Sequence, residues 1–204
     1  SEIGQIAGRA GRYLNDGSFG ITGDCKEITA EDVELIEGHK FEEIRTLFWR
    51  NSNLNFNNPL SLIKSLEEKP KMGWLRKIHE CEDEKALKYF LKEKSFINLE
   101  FNKKLLSLLW ECCQIPDFVK KTYGNHYEVI GNVFKYLSSG KHQITDEFMR
   151  LQLIKLDKLE GNVDSLSNRI ANVRTWSYVS NKNNWTENHE YWIEKTKHLE
   201  DRLS

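Results

Sequence analysis

The sequence predicts a mainly α protein: a helical bundle over residues 25–204, preceded over residues 1–24 by a short α/β remnant of one helix and one strand. Three observations carry this. Amphipathic segments of helical period recur from Thr29 to Leu203. The chain holds only three prolines, and each stands at the edge of such a segment rather than inside it. Glycine crowds the start, at Gly4, Gly8, Gly11, Gly17 and Gly20, where helical period gives way to turn chemistry.

The elements follow in order. Ile3, Ile6, Ala7 and Ala10 recur at helical spacing and predict a helix from Ile3 to Arg12 with one apolar face. Asn15-Asp16-Gly17-Ser18 is a turn signal, and Phe19-Gly20-Ile21-Thr22 is a short strand candidate. One helix and one strand cannot bury a core, so this piece reads as cut from a larger α/β domain. Thr29 with Asp32 resembles a capping box and starts a helix through Ile36. Phe41 to Asn51 fits either period. Pro59 opens a helix that carries Leu60, Leu62, Ile63 and Leu66 and ends before Pro70. Glu82 to Lys94 is helical. Phe101, Leu105, Leu108, Leu109 and Cys112 form a stripe that stops before Pro116. Further helices run from His126 to Leu137, from a Thr145 cap through Leu159, over Val163, Leu166, Ile170 and Val173, and from Glu187 to Leu203. Asn181 to Asn184 is a polar loop.

Composition narrows the function classes. Hydrophobic residues make up 39% and charged residues 30%, the balance of a globular chain in water. No apolar run approaches the roughly 20 residues that cross a bilayer, and no basic start leads into an apolar stretch, so neither membrane insertion nor a signal peptide is expected and a cytoplasmic location is. Lys+Arg number 30 against Asp+Glu 31. That near-neutrality argues against a high-affinity standalone nucleic-acid module and leaves room for a local basic groove. Cys25, Cys81, Cys112 and Cys113 form no C-x-x-C pair and read as free thiols. The histidines fall in no metal-binding frame, and His79 with Cys81 lacks further ligands, so no metal site is expected.

The chemistry concentrates at the N-terminus. Gln5-Ile6-Ala7-Gly8-Arg9-Ala10-Gly11-Arg12 spells Q-x-x-G-R-x-G-R, whose five fixed positions match by chance on the order of once per million starts. On a helix Gln5, Gly8, Arg9 and Arg12 share one face, opposite the apolar one. That face offers two guanidinium forks, whose planar geometry matches phosphate oxygens. Two helix-interior glycines each cost about 1 kcal/mol relative to alanine, and close approach of a phosphate or a neighbouring backbone supplies a reason for them.

This segment resembles the sixth sequence motif of superfamily 2 helicases. Its extension through Tyr13 and Asp16-Gly17-Ser18-Phe19-Gly20-Ile21-Thr22-Gly23 resembles the mitochondrial degradosome RNA helicase family and its alphaproteobacterial relatives. Three further stretches look like those relatives: Leu109 to Asp117, Leu166 to Trp176, and Glu200 to Ser204. The resemblance implies two RecA-like motor domains and a helical C-terminal region, coupling hydrolysis of ATP with Mg to unwinding or translocation on RNA or DNA. Residues 1–24 would then end the second RecA-like domain, and residues 25–204 would form the helical C-terminal domain. Gln5, Gly8, Arg9 and Arg12 match the motif positions that face the nucleotide, with Arg9 and Arg12 as catalytic finger residues. The departure is an absence. There is no G-x-x-x-x-G-K-[ST] loop, since Gly140-Lys141 continues to His142, and no D-E-x-[DH] box, since Asp83-Glu84 continues to Lys85-Ala86. The expectation is therefore a C-terminal part of a longer ATPase whose other motor domains are its first partners.

Two groups are secondary candidates for nucleic-acid contact. Arg169, Arg174 and Trp176, with Tyr178, can pair and stack with a single strand, or can equally be core and surface residues of an ordinary helix. Arg45, Trp49 and Arg50 stand in the same position. The rival reading of the whole chain is a standalone helical interaction module in which Q-x-x-G-R-x-G-R is incidental.

Overall fold

The computed structural model describes residues 2–11, 16–40, 43–93, 96, 99–120 and 123–204. The chain forms two compact units, Ser1–Leu47 and Phe48–Ser204. The expected division after residue 24 is not where they part, because the helix that follows it packs with the N-terminal one.

In the first unit, α1 (Glu2–Ala7) and α2 (Ala30–Glu37) bury no residue. Helix α1 is shorter than its apolar spacing predicts. The Gly8 amide still reaches Gly4 oxygen at 2.9 Å, but Arg9 and Ala10 bond back only three residues, to Ile6 and Ala7. Gly8 weakens the helix where it would have to continue, and Arg12 lies outside the described residues. The expected strand at 19–22 does not form: no strand among the described residues pairs with it, and a lone strand leaves its backbone groups unsatisfied. The capping prediction holds at α2, where Thr29 Oγ1 accepts from the Asp32 amide at 3.1 Å and donates to Asp32 Oδ2 at 2.7 Å.

The second unit is helical apart from a two-stranded sheet of β1 (Leu47–Trp49) and β2 (Leu75–Lys77), with β1 starting at the unit boundary. Its helices are α3 (Pro59–Glu67), α4 (Glu82–Lys92), α5 (Lys103–Cys113), α6 (Tyr123–Ser138), α7 (Asp146–Leu156), α8 (Val163–Ser180) and α9 (His189–Leu203). Short polar caps start most of them: Asn58, Asn102, Thr145 and Asn162 each accept from the amide three residues on. Helix α5 packs between α4 and α6, and α8 between α7 and α9. Leu62, Leu87, Leu106, Leu109, Ile130, Val133, Met149 and Val173 are fully buried among them. Aromatic contacts bridge the helices, Phe96 to Phe134 at 5.3 Å and Phe148 to Trp176 at 5.8 Å. No helix among the described residues is long and apolar enough to cross a membrane.

Among the differences from expectation are two helix ends and one buried face. Helix α7 stops at Leu156 rather than Leu159, and Leu159 is left 54% exposed. Helix α9 starts at His189 rather than Glu187, because the Glu187 carboxylate is used elsewhere. It accepts from the Asp146 amide at 3.0 Å, at the head of α7, and from Lys141 Nζ at 2.9 Å. The α5 stripe is rotated: Leu106, Trp110 and Cys113 are buried, while Leu105 and Leu108 are only partly so, since α4 and α6 flank a broad face. Strand β2 had no sequence prediction.

Candidate functional site

The Q-x-x-G-R-x-G-R segment begins on α1 and continues through a tight turn. Gln5, Gly8 and Arg9 are all exposed, and no ion pair or hydrogen bond engages the Arg9 side chain among the described residues. The fork is therefore free for a ligand. Regular helix ends at Ala7, so Gly8 and Arg9 lie beyond it, and the Arg12 of the expected face falls outside the described residues.

Glycine has a specific use here. A Cβ on Gly17 would collide with the Ala10 carbonyl carbon and oxygen and with the Gly11 nitrogen. Gly17 thus lies directly against the Ala10–Gly11 peptide. Only a residue without a side chain permits that approach.

The secondary candidates resolve differently. Trp176 is buried, with its ring edge-on to Phe148, so it offers no stacking face to a strand. Arg169 Nη1 donates to the carbonyls of Lys158 and Glu160, both at 2.6 Å, and pins the loop ahead of α8. Arg174 Nε donates to Glu200 Oε1 at 2.7 Å, joining α8 to α9. Trp176 is thus closed to a strand, while Arg169 is half-buried and Arg174 exposed, both with partners inside the bundle.

Arg50 is also structural. Its guanidinium donates to both Asp83 oxygens, at 2.7 and 2.9 Å, and lies 5.1 Å from the Trp110 ring centre. The buried carboxylate of Glu84 stands 3.6 Å from Arg50 Nη2, beyond hydrogen-bond reach, and its Oε1 has no hydrogen-bond partner. Arg50 supplies the neutralising charge there. The pKa of Arg50 is raised: its own desolvation opposes the shift, and the Asp83 hydrogen bond and charge outweigh it. Burial pushes the Cys112 and Cys113 thiols well up, so both stay protonated and unreactive near neutral pH. Among the described residues no cluster of three His, Cys, Asp or Glu stands ready for a metal.

One surface escaped the sequence reading. The segment from Lys69 to His79 is mostly exposed, with Met72 at 55% and Trp74 at 53%. It lines a groove of about 570 Å³ with Lys69, Lys71, Arg76, Lys77 and His79. The signal was available as a local cationic cluster around a tryptophan, hidden by a net charge of only −1 over the chain. No known protein family, curated protein or solved structure matches the chain.

Proposed function

We propose that this chain is the C-terminal part of an ATP-dependent RNA or DNA helicase of superfamily 2. In this reading the segment of Gln5, Gly8, Arg9 and Arg12 serves the ATP site, and the helical unit is an accessory domain. The observation that carries the reading is the motif itself together with its setting: an exposed Arg9 with no partner among the described residues, and Gly17 seated against the Ala10–Gly11 peptide. An ordinary amphipathic helix gives no reason for that glycine pattern.

The residues present fit a nucleotide phosphate. Arg9 presents an unengaged fork, and the glycines keep the surrounding surface low. In the complete helicase, ATP with Mg would supply the phosphoryl group whose hydrolysis drives movement. Arg9 and Arg12 would hold its oxygens from the second motor domain, and Gln5 would orient beside them. The phosphate loop that grips the nucleotide would come from the other motor domain, so the 204-residue chain by itself is expected neither to turn over ATP nor to bind it tightly.

The test is kinetic, on the full-length protein at saturating RNA. Arginine fingers contribute about 10³ to 10⁵ in rate, so Arg9→Lys or Arg12→Lys should lower kcat by roughly a hundredfold or more. KM for ATP should change far less, as for an interaction made mainly in the transition state. Lysine keeps the charge and loses the fork, so the swap tests geometry. Near wild-type turnover in both variants, with circular dichroism unchanged, removes this reading and favours the standalone interaction module. In-frame coding sequence upstream of Ser1 offers a cheaper check: a phosphate loop and a D-E-x-[DH] box there support the motor.

A further inference from the structure

The sheet and the loop that feeds β2 gather an unusual set of side chains. The middle residues of the two short strands, Phe48 and Arg76, are exposed, Phe48 by 75%, while Trp49, Leu75 and Lys77 are half-buried. Side chains alternate across a strand, so Phe48 and Arg76 share the solvent face of the sheet. Trp74, 53% exposed, lies between Gly73 and Leu75, both of which line the groove of about 570 Å³.

Charge on this surface is one-sided. The acidic residues at the groove, Glu67 and Glu80, both face Lys88, at 3.2 and 3.9 Å. Lys69, Lys71, Arg76 and Lys77 have no ion-pair partner among the described residues. Four cations gathered in one groove, with exposed rings near them in the chain, create a local positive field that draws an anionic ligand.

We infer that the groove at residues 69–79, with Phe48 and Trp74, binds single-stranded nucleic acid. Unstacked bases present a π-face to each exposed ring, and the backbone presents one phosphate per nucleotide to the lysine and arginine groups. The combination fits a single strand better than a bilayer surface. A bilayer ligand calls for a broad continuous apolar face, and here Met72 and the two rings are interleaved with the cations. The inference stands on the surface of the helical unit alone and not on the helicase reading. Binding at this groove needs no ATP turnover, so either result leaves the other intact.

The experiment titrates the chain with fluorescently labelled U12 RNA and dT12 DNA and follows anisotropy over a range of salt. Trp74→Ala should weaken binding roughly fivefold to a hundredfold, the loss of one base–ring stack. Phe48→Ala should act in the same direction. Reversing all four cations (K69E, K71E, R76E, K77E) should abolish binding at moderate salt. Neutralising them to Gln should reduce the slope of log affinity against log salt by about three, from about 0.7 per phosphate contact on a single strand. These groups are surface residues, so thermal unfolding of each variant should match wild type, and that measurement keeps a folding defect from passing as a binding defect. Stronger binding of U12, of dT12, or of both supports the site and reports its sugar preference. The proposal is overturned if neither oligonucleotide binds, or if the variants bind as wild type does. It is equally overturned if phosphatidylserine-containing vesicles bind through these residues while the oligonucleotides do not.

Discussion

Helices α5 and α1 both carry apolar residues at three- and four-residue spacing, yet they end in different environments. Helix α5 buries Leu106, Leu109, Trp110, Cys112 and Cys113. Helix α1 buries nothing and leaves Ile3 55% and Ile6 68% exposed. The difference is in the neighbours. Helix α5 has α4 on one side and α6 on the other, whereas α1 meets α2, an eight-residue helix that itself buries no residue. An apolar stripe states what a helix offers, and burial needs a partner that accepts it. A six-residue helix without such a partner has too few bonds to offset its nucleation cost.

The comparison breaks most visibly under truncation. Leu109→Ala removes a fully buried side chain from a packed helix and should cost about 2–5 kcal/mol, seen as a fall of several degrees or more in Tm. Ile6→Ser on α1 should change stability by less than about 0.5 kcal/mol. Equal losses in the two variants would mean that α1 is held as firmly as α5.

A second, smaller effect separates a paired cation from a free one. Arg50→Ala leaves Asp83 without its fork and Glu84 without a neutralising charge, and should cost about 2–3 kcal/mol. Arg9→Ala, on a side chain with no partner among the described residues, should leave the melting curve of this chain unmoved. Chemical denaturation of both variants measures the contrast, and a double-mutant cycle with Asp83→Ala isolates the bidentate pair. An Arg50→Ala protein as stable as wild type would show that the pair is replaced by solvent at no cost.

The smallest effect concerns pH in the helical unit. Burial disfavours the charged form of His126 and holds its pKa below the ordinary 6.5, against weaker opposing contributions from Asp117 and from the bond to Ile115. Its neutral ring meets the Ile115 carbonyl oxygen through Nε2 at 3.0 Å. A folded pKa below the unfolded one means that the unfolded chain takes up the proton first as pH falls. The stability this group contributes is fully present above about pH 6.5 and is lost as pH falls through the lower folded value. Thermal melts between pH 7.5 and 5 should show that decline, and His126→Gln should flatten it. An unchanged slope in the variant would assign the decline to another group.

Short-range features were legible from the residues alone. The Thr29, Thr145 and Pro59 helix starts are where the sequence places them, because a cap is decided within one turn of backbone. The mainly helical class follows from period and from the scarcity of proline, and both are properties of neighbouring residues. The spacing of Gln5, Gly8 and Arg9 was equally legible. That Gly17 seats on the Ala10–Gly11 peptide was not, since this contact depends on how a loop closes.

Local pattern could not decide which of several similar side chains faces inward. Trp176 and Trp74 look alike in the sequence, one a candidate stacking ring and the other unremarked. The fold buries the first against Phe148 and leaves the second exposed, in a segment whose four cations have no ion-pair partner among the described residues. Arg169, Arg174 and Arg50 have carbonyl or carboxylate partners between 9 and 33 residues away, and Arg9 has none among the described residues. The sequence by itself determined the helices, their caps and the motif, because each is set by interactions within a few residues. Only the tertiary structure decided which aromatic rings and which cations remain free to meet a ligand, because that depends on partners brought close by the packing of whole helices.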